Sequence, residues 1–474
     1  MPSDNLRYTP EQLLTQQQKN ALILRTETAA MRIKKLKSLK EWIRKHTDEI
    51  RKAVFADLGK PFAETDITEI SVVLTEISHA IRNLPKWMKT TKVGNPIHFA
   101  GAESYIQYEP KGCALIISPW NYPFNLTIGP LISAIAAGCT VVLKPSELSP
   151  HTSELIETMV SDLFAPDEVA VFLGEAEVAK SLLALPFNHV FFTGSPRIGK
   201  EVMKAAAQHL SGITLELGGK SPVVVDASCD LEDAALKIAW AKSINCGQTC
   251  IAPDYILVNG SVYQPFLEKL AAAFNKLLNP TGKGIAKSSD YARIINTNHW
   301  TRLRTLLEDA TAAGAEIVFG GEMDPSTKFF SPTVITGLET DMRIMQEEIF
   351  GPILPIISYN GLDEAILQIN NTPQPLALYV FSQESYISDQ ISAKTSSGAL
   401  VENDCAVHFG HPNLPFGGIN TSGIGKAHGH FGFLAFSNEK AVLKQSGRFN
   451  PIKSLYPPFS LKKQKLINLF SRFS

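Results

Sequence analysis

Residues 113–147, CALIISPWNYPFNLTIGPLISAIAAGCTVVLKPSE, combine two short apolar runs with an intervening stretch of helical length. CALIIS and TVVL have the length and residue types of β-strands, and residues 124–137 between them are long enough for a helix. Strands that alternate with helices are typical of a parallel sheet with helices on both faces. This stretch therefore predicts the first strand–helix–strand unit of an α/β domain.

The same alternation continues along the chain. Runs VAVFL, HVFFT, ITLEL and PVVV follow, with stretches of helical length between most of them. A second set of strand-like runs lies after Cys250, namely DYILV, EIVF, LPIIS, LALYVFS and GALV. Residues 9–88 instead predict helices, because apolar residues recur there at helical spacing. We therefore expect two α/β units in series, preceded by a helical segment.

The composition excludes several classes of protein. The chain has 474 residues, of which 44% are hydrophobic and 19% charged, and its formal net charge is -1. This globular composition lacks the charge excess that is typical of nucleic-acid or anionic-surface binding. The six cysteines form no CxxC pair, which favours a reduced, cytoplasmic compartment. No apolar run reaches the roughly 18 residues of a membrane span, and the N-terminus has no secretory signal.

Two segments fit neither α/β unit. Residues 92–110 alternate weakly and predict a hairpin that projects from the first domain and pairs with late-chain residues such as NEKAVLKQ. The tail, LKKQKLINLFSRFS, predicts a helix docked on the protein or on a partner subunit, rather than on a membrane, since one short helix anchors poorly. Its apolar face comprises Leu466, Leu469, Phe470 and Phe473.

Ligands of doubly wound sheets bind at the carboxyl ends of the strands, and two loops there carry unusual side chains. In SPWNYPFN, residues 118–125, Asn121 either donates its amide to a developing oxyanion or bonds its own backbone in a turn. In LKPSE, residues 143–147, Lys144 and Glu147 either hold the hydroxyls of a nucleotide ribose or form a solvated surface pair.

A phosphate cradle is indicated by FFTGSPRIGK, residues 191–200. A strand ends there near Gly194 and Ser195, and a helix begins near Pro196, so that free N–H groups and a positive dipole end face the loop. The full GxGxxG fingerprint is absent, since only Gly194 and Gly199 are present. An ordinary strand-to-helix turn is an equal alternative.

Glu216 lies in LELGGKSP, residues 215–222, at the end of a predicted strand. GGKS resembles the end of a P-loop, but Thr214 occupies the position at which that motif requires its first glycine. Glu216 is then either a general base with a raised pKa or a carboxylate held in a salt bridge, and the sequence leaves both interpretations open.

Cys246 and Cys250 lie in NCGQTCIAP, residues 245–253. A buried cysteine is usually inert, whereas a nucleophile needs access to substrate and an easily ionised thiol. Zinc is a poor fit, because no second Cys/His pair stands at suitable spacing, and we predict no metal site. Cys250 precedes the strand DYILV, and Cys246 lies nearer the end of the preceding helix.

Taken together and in this order, these stretches resemble the aldehyde dehydrogenase superfamily over nearly the whole chain. The collinear agreement is more specific than any single motif and covers PWNYPFNLTIGPLISAIAAGCTVVLKPSE, FFTGS, LELGGKSP, NCGQTCIAPDY, EEIFGPILP and LPFGGINTSGIGKAHG. NCGQTCIAPDY and LYPPF, residues 455–459, are most similar to the class 3 group, which includes fatty, benzaldehyde-type and coniferyl-type aldehyde dehydrogenases. That group usually has RYPPY where this chain has LYPPF.

The resemblance implies an architecture of two doubly wound, Rossmann-like α/β domains with a small β oligomerisation arm. The implied divisions are a dinucleotide-binding domain of 1–91 and 111–218, a catalytic domain of 219–433, an arm of 92–110 and 434–450, and a C-terminal tail of 451–474.

The resemblance also implies the chemistry. Cys250 is the nucleophile, Glu216 the base, and Asn121 forms an oxyanion hole with the backbone N–H of Cys250. An apolar aldehyde, aliphatic or aromatic, becomes a thiohemiacetal on the Cys250 thiolate and then a thioester, which water activated by Glu216 hydrolyses to the acid. Tyr122 and Trp240 line an apolar substrate funnel.

The implied cofactor is NAD or NADP, and the implied assembly is a homodimer. Lys144 and Glu147 face the adenosine ribose, where a carboxylate favours NAD because it rejects a 2′-phosphate. Ser195 lies near the pyrophosphate, and Glu348 and Phe350 position the nicotinamide half. The full set of implied cofactor-binding residues is Trp120, Lys144, Glu147, Thr193, Gly194, Ser195, Gly218, Glu348 and Phe350.

Three alternatives stay open at the level of sequence. A CoA-acylating or phosphorylating relative would replace water by a thiol or by phosphate, and Glu216 argues against it, since a hydrolytic base has little use there. A non-catalytic protein on the same scaffold would have no need of Cys250. A cysteine hydrolase would pair that thiol with a histidine, and the candidates are His408, His411, His428 and His430.

Overall fold

The computed structural model describes residues 8–445, 447 and 450–470, so the prediction for Phe473 lies outside the described residues. The α-helices within these ranges are α1 Pro10–Leu24, α2 Ala29–Lys45, α3 Thr47–Leu58, α4 Phe62–Thr65, α5 Ser71–Trp87, α6 Asn125–Ala137, α7 Pro150–Leu163, α8 Ala176–Leu183, α9 Pro196–Ala207, α10 Leu231–Ser243, α11 Tyr263–Leu278, α12 Thr297–Ala312, α13 Arg343–Gln346, α14 Leu362–Asn370, α15 Ser385–Lys394, α16 Gly429–Ala435 and α17 Leu461–Phe470. None of the helices in these ranges is long and apolar enough to cross a membrane.

The β-strands of the same ranges follow the predicted apolar runs closely. They are β1 Thr91–Lys92, β2 Glu103–Pro110, β3 Cys113–Ile117, β4 Thr140–Lys144, β5 Val169–Val171, β6 His189–Gly194, β7 Gly212–Leu217, β8 Pro222–Val225, β9 Tyr255–Asn259, β10 Glu316–Phe319, β11 Met323–Asp324, β12 Phe329–Phe330, β13 Thr333–Thr336, β14 Ile353–Tyr359, β15 Ala377–Phe381, β16 Ala399–Glu402, β17 Gly423–Ile424 and β18 Ser437–Lys444.

The first large sheet has the strand order β17-β7-β6-β3-β4-β5 in the described chain. Its strands are parallel except for β17, which runs antiparallel to β7. The order reverses at β3, since β4 lies on one side of it and β6 on the other. Such a switch point opens a crevice at the carboxyl ends of the strands, where ligands bind.

The second large sheet has the order β10-β13-β14-β9-β8-β15-β16. Its strands are parallel except at the β10–β13 edge. The interior strands are buried on both faces and accordingly read as continuous apolar runs, for example PVVV in β8. The predicted α/β class is therefore confirmed in both units.

A small antiparallel sheet of β1, β2 and β18 joins distant parts of the sequence. β2 pairs with β18 from Glu103 opposite Lys444 to Pro110 opposite Ser437. The pairing that we predicted between residues 92–110 and NEKAVLKQ is thus confirmed. β18 lies at the edge of this sheet, and most of its side chains are exposed.

Helix ends fix the loops that matter for the site. Ser195 caps α9, because its hydroxyl accepts a hydrogen bond from the N–H of Ile198 at 3.4 Å, and Pro196 occupies the first helical turn. α6 follows the SPWNYPFN loop and is apolar nearly all round, so it is buried almost completely between neighbouring layers. Both loops therefore have rigid elements on either side.

Candidate active site

Cys246 and Cys250 lie in very different surroundings. Residues 245–247 form a short turn in which Asn245 (φ 52°), Cys246 (φ 55°) and Gly247 (φ 70°) are all left-handed. Cys246 is fully buried, and its thiol donates to the Tyr291 hydroxyl at 3.1 Å. Cys250 is half-buried, so it is the thiol that a substrate can reach.

Cys250 lies where two cavities meet. A narrow cavity of about 40 Å³ is bordered by Cys250, Thr193 and Glu216. A larger cavity of about 270 Å³ is bordered by Cys250, Tyr122 and Trp240. A site for one water needs about 10–15 Å³ of such space, so the narrow cavity has room for water beside the thiol.

Glu216 occupies the end of β7 and carries an uncompensated buried carboxyl group. Its backbone lies between Thr193 of β6 and Gly423 of β17. Both carboxyl oxygens are buried and have no hydrogen-bond partner in the described part of the chain. Burial raises the pKa of Glu216 well above its ordinary value, and attraction from Lys426 offsets only part of this. The salt-bridged alternative is therefore wrong: no ion pair within 4 Å holds this carboxylate among the described residues.

The Cys250 thiol is protonated at neutral pH in the free protein. Burial raises its pKa, and the carboxyl groups of Glu348 and Glu216 raise it further, because they repel a thiolate. The N–H groups of Cys250 and Ile251 donate to the sulfur and act in the opposite direction. The thiolate that the sequence-based mechanism requires is thus not the resting form, and the thiol must lose a proton before it attacks.

Asn121 is held across the site rather than within its own turn. Its side-chain Nδ2 donates to the carbonyl oxygen of Gln248 at 3.0 Å. The backbone carbonyl oxygen of Asn121 accepts from Asn245 Nδ2 at 2.7 Å and from Lys60 Nζ at 3.3 Å. An asparagine amide carries two N–H groups, and the bond to Gln248 uses one. The second is available to an oxyanion near the Cys250 loop.

A buried ionic network below this loop was not foreseen from the sequence. Lys60 Nζ lies 2.8 Å from Glu69 Oε1, and neither side chain exposes any surface. Glu69 Oε2 accepts the N–H of Asn125 at 2.8 Å, and Glu64 Oε1 accepts the N–H of Asn245 at 2.7 Å. Burial raises the pKa of Glu64 to about 7. The only available signal was the presence of charged residues just before an apolar helix, which is too common to point to a site.

Lys144 and Glu147, the pair predicted to hold a ribose, lie at the end of β4 and in the loop after it. Lys144 Nζ lies 2.7 Å from Glu147 Oε2, and the Lys144 side chain is only 3% exposed. The alternative of a solvated surface pair is therefore wrong for the lysine, while Glu147 faces outwards. At the end of β6, two strands away in the sheet, Gly194 lies against the ring of Phe192, which would collide with any Cβ atom at that position.

Glu348 reaches the glycine pair that follows β7. A Cβ atom on Gly218 would overlap the Glu348 carboxyl group, so only glycine allows this approach. The N–H of Gly219 donates to the Glu348 carboxyl group, whereas burial and repulsion from Asp254 raise the pKa of Glu348 to about 8.

Phe350 and Trp120 form an aromatic wall near Glu348. The ring centroids lie 5.4 Å apart with nearly perpendicular planes. Phe350 has a φ of 47°, a left-handed conformation that is costly for a bulky residue and that occurs mostly at functional sites. Both rings belong to loops, and their nearly perpendicular planes form an apolar corner against which a planar ring can pack.

The larger cavity is apolar and open at one end. Its inner wall includes Tyr122, whose hydroxyl lies 2.6 Å from Thr249 Oγ1. Its mouth carries Trp240 (37% exposed), Ile67 (62%) and Val407 (45%). An apolar rim of this kind is typical of a binding site for apolar molecules.

In the part of the chain that the structure describes, no hydrogen bond joins the Cys250 thiol to any of the four candidate histidines, so no hydrolase pair is formed. Of the four candidates, His428 borders the narrow cavity with Cys250. Burial lowers the pKa of His428 to about 4, and the same cause lowers the pKa of His408 to about 4. Within the described residues, no group of three or more His, Cys, Asp or Glu side chains is arranged to hold a metal ion.

Comparison with known proteins decides the family. The sequence profile of the "Aldehyde dehydrogenase family" matches residues 13–442. The chain belongs to the aldehyde dehydrogenase family. The resemblance inferred from six motifs is thereby confirmed, and the protein is an oxidoreductase that acts on the aldehyde group.

Relatives and a solved structure agree with the family over nearly the whole length. The chain is 41% identical over 437 residues to 4,4'-diaponeurosporen-aldehyde dehydrogenase of Staphylococcus aureus, covering 92% of this chain and 94% of that protein. It is 40% identical over 447 residues to mouse aldehyde dehydrogenase family 3 member A2, covering 94% and 91%. The solved substrate-bound state of Staphylococcus aureus AldH superposes with a TM-score of 0.93 at 39% identity, covering 98% and 100%. The predicted aldehyde dehydrogenase fold and class 3 likeness are confirmed.

Proposed function

We propose that this aldehyde dehydrogenase oxidises an apolar aldehyde to the carboxylic acid, with Cys250 as nucleophile and Glu216 as the hydrolytic base. NAD or NADP is the oxidant. The observation that carries the proposal is the position of Cys250 between a water-sized cavity beside Glu216 and an open apolar cavity. A nucleophile needs access to substrate on one side and to hydrolytic water on the other.

The substrate class follows from the larger cavity. Its walls combine aliphatic and aromatic side chains, and the Tyr122 hydroxyl is engaged by Thr249. Two further polar side chains of the lining, Thr68 and Asn125, donate to backbone carbonyl oxygens. Burial of an apolar chain is worth about 25 cal/mol per Å², so these walls favour medium or long apolar aldehydes, aliphatic or aromatic. The Staphylococcus aureus relative named 4,4'-diaponeurosporen-aldehyde dehydrogenase and the family 3 relatives support an apolar aldehyde as substrate.

The cofactor fits the groups at the carboxyl ends of β4, β6 and β7. Lys144 and Glu147 offer a donor and an acceptor for ribose hydroxyls, and Ser195 opens α9, whose first N–H groups suit a pyrophosphate. Glu348 lies against Gly218, and the Trp120–Phe350 wall suits a nicotinamide ring. The remaining residues that we assign to this site are Thr193 and Gly194. When bound, NAD or NADP accepts the hydride that the aldehyde loses.

Cys250 acts first. Its thiol gives up a proton to water, the N–H of Ile251 stabilises the sulfur anion, and the anion attacks the carbonyl carbon. The resulting thiohemiacetal oxygen is stabilised by the second N–H of the Asn121 amide and by the backbone N–H of Cys250. Oxidation of this adduct leaves an acyl thioester on Cys250.

Glu216 acts second. Its unpartnered carboxylate removes a proton from a water in the narrow cavity, and the hydroxide adds to the thioester carbon. The carbon–sulfur bond then breaks, the acid leaves through the open cavity, and the proton held by Glu216 passes to the sulfur and restores the Cys250 thiol. A raised pKa suits this role, because a base is most effective when its pKa lies near the working pH.

Domain division, assembly and location complete the proposal. We assign residues 1–91 and 111–218 to cofactor binding, 219–433 to catalysis, and 92–110 with 434–450 to the arm.

The exposed edge of β18 suits pairing with a second copy, which gives a homodimer. All six cysteines are free thiols, as suits a cytoplasmic protein. Light scattering coupled to gel filtration tests the dimer.

An aldehyde panel tests the function. NAD(P)H formation is measured with aliphatic and aromatic aldehydes of increasing length, with each cofactor in turn, and the acid product is identified with and without CoA. We expect acid without CoA, loss of turnover in Cys250→Ser, and retained turnover in the matched control Cys229→Ser, a half-buried thiol outside the site. A CoA-dependent thioester product would support the acylating alternative, and unchanged turnover in Cys250→Ser would overturn the proposal.

A further inference from the structure

A hairpin formed by residues 416–427 closes over Glu216. Its ends are joined by a bridge between Phe416 and Ala427, and β17 within it pairs with β7. In that pairing, Gly423 lies opposite Glu216. The hairpin therefore brings backbone and side chains from late in the sequence against the proposed base.

Lys426 and Glu216 lie on the same side of Gly417. Lys426 Nζ donates to the carbonyl oxygens of Gly417 at 2.5 Å and of Gly418 at 3.1 Å. The position that a Cβ atom on Gly417 would occupy lies 2.9 Å from Glu216 Oε1 and 3.1 Å from Lys426 Cδ. The lysine stem and the carboxyl group are thus near neighbours with no bulky side chain between them.

Of the charged side chains that the structure describes near Glu216, Lys426 is the one that attracts its carboxylate. Burial raises the pKa of Glu216, and attraction from Lys426 offsets part of that rise. Burial likewise lowers the pKa of Lys426, and attraction from Glu216 offsets part of that fall. Besides Glu216, the titratable groups that border the narrow cavity are Cys250, Glu76 and His428.

None of those three groups supplies a positive charge. The thiol is protonated, and burial lowers the pKa of His428 to about 4, so that its ring is neutral. Burial raises the pKa of Glu76 to about 7, and its carboxyl group accepts the N–H of Gly429 at 2.6 Å. Lys426 is the cation that faces Glu216 in the part of the chain that the structure describes.

We propose that Lys426 is a positioning residue that favours the ionised form of Glu216 and so sets the lower pH limit of thioester hydrolysis. This inference rests on the proposed function of Glu216. The hydrolytic step itself converts an acyl thioester and water into a carboxylic acid and the Cys250 thiol, so it needs no further oxidant or reductant. The lysine takes no part in bond making; its charge acts on the carboxylate across Gly417.

Lys426→Met tests the proposal, because it keeps the stem and removes the charge. An opposite charge at close range lowers a carboxyl pKa by about 1–3 units, and Lys426 is only half-buried. We therefore expect the acidic limb of the kcat–pH profile to move up by about one pH unit, with an unchanged aldehyde KM. Lys426→Arg should restore the original profile, since it restores the charge.

Controls separate this proposal from the assignment of Glu216. Lys394→Met, which removes an exposed lysine of α15 that pairs with Asp363 of α14, should leave the profile unchanged. Thermal unfolding checks that each variant folds, and Lys426→Gln provides a second neutral variant. If Glu216→Gln inactivates the enzyme but the pH profile of Lys426→Met superimposes on the original, only the role of Lys426 is overturned. Full turnover in Glu216→Gln overturns the proposed base instead.

Discussion

Lys60 and Glu69 form an ion pair, 2.8 Å between Nζ and Oε1, in which neither side chain exposes any surface to solvent. Lys60 also donates to the carbonyl oxygen of Asn121, and its ammonium lies 4.1 Å from the ring centroid of Tyr122. The pair therefore supports two residues of the site from below. It stands in a part of the chain, before the first sheet, that carries no catalytic motif.

Removing one member of this pair should destabilise the fold strongly. Lys60→Met leaves Glu69 buried without its cation, and breaking a buried pair costs about 3–5 kcal/mol. Lys60→Met/Glu69→Gln should recover part of the loss, because no charge is left unpaired. Denaturant unfolding measures the free energies. The control Lys180→Met, which breaks an exposed pair with Glu177, should change stability by less than about 1 kcal/mol. A loss in Lys60→Met no larger than that of the control would contradict the prediction.

Alkylation of Cys250 should be slow at neutral pH and should rise steadily towards alkaline pH. The sign follows from the pKa of the thiol, which burial and the carboxyl groups of Glu348 and Glu216 raise, so the reactive thiolate is scarce below that pKa. Iodoacetamide labelling, followed by mass spectrometry, measures the rate. Glu348→Gln should accelerate labelling, by about tenfold for each pKa unit removed. The neighbouring variant Glu347→Gln should not, and equal rates in both would count against the electrostatic account.

Glu216→Gln should separate the two halves of the reaction. Without the base, the thioester forms but water attacks it slowly, so a first burst of NAD(P)H should remain while steady-state turnover falls by about 10²–10⁴-fold. Rapid mixing resolves the burst, and mass spectrometry of the denatured enzyme should find the acyl group on Cys250. Loss of the burst together with turnover would argue for an earlier role of Glu216.

Glu147→Gln should weaken the discrimination against NADP. The carboxylate accepts from a ribose 2′-hydroxyl and repels a 2′-phosphate, so the neutral amide should raise the KM for NAD and lower the KM for NADP. Steady-state kinetics with both cofactors measures the ratio of kcat/KM. Glu154→Gln, an exposed position on α7, is the control. An unchanged ratio in Glu147→Gln would place the ribose elsewhere.

Trp240→Ala should affect long aldehydes more than short ones. Trp240 is 37% exposed at the mouth of the apolar cavity, where only a long chain reaches it. Loss of about 1–2 kcal/mol of apolar contact corresponds to a rise in KM of roughly 5- to 30-fold. The KM of a short aldehyde should stay constant, and Tyr386→Ala on α15 serves as a surface control. Equal changes for short and long aldehydes would contradict a role in chain-length selection.

Much of the fold was predictable because it is encoded locally. Apolar runs such as CALIIS and TVVL form β3 and β4 where expected, and the long-range pairing of β2 with β18 followed from alternation at both segments. The site was predictable wherever a residue stands at the end of a strand, as Glu216 and Lys144 do, because parallel strands deliver their carboxyl ends to one edge.

The sequence by itself determined the α/β order and the family, since these depend on residue types at fixed spacing, and it predicted Cys250 as the reactive thiol. Only the tertiary structure decided how the charged groups behave. Three features depend on burial: the Lys60–Glu69 pair, the close approach of the Lys426 stem and the Glu216 carboxyl group at Gly417, and the raised pKa of Cys250. Burial is the sum of contacts between segments far apart in the chain, and no local pattern of residues specifies it.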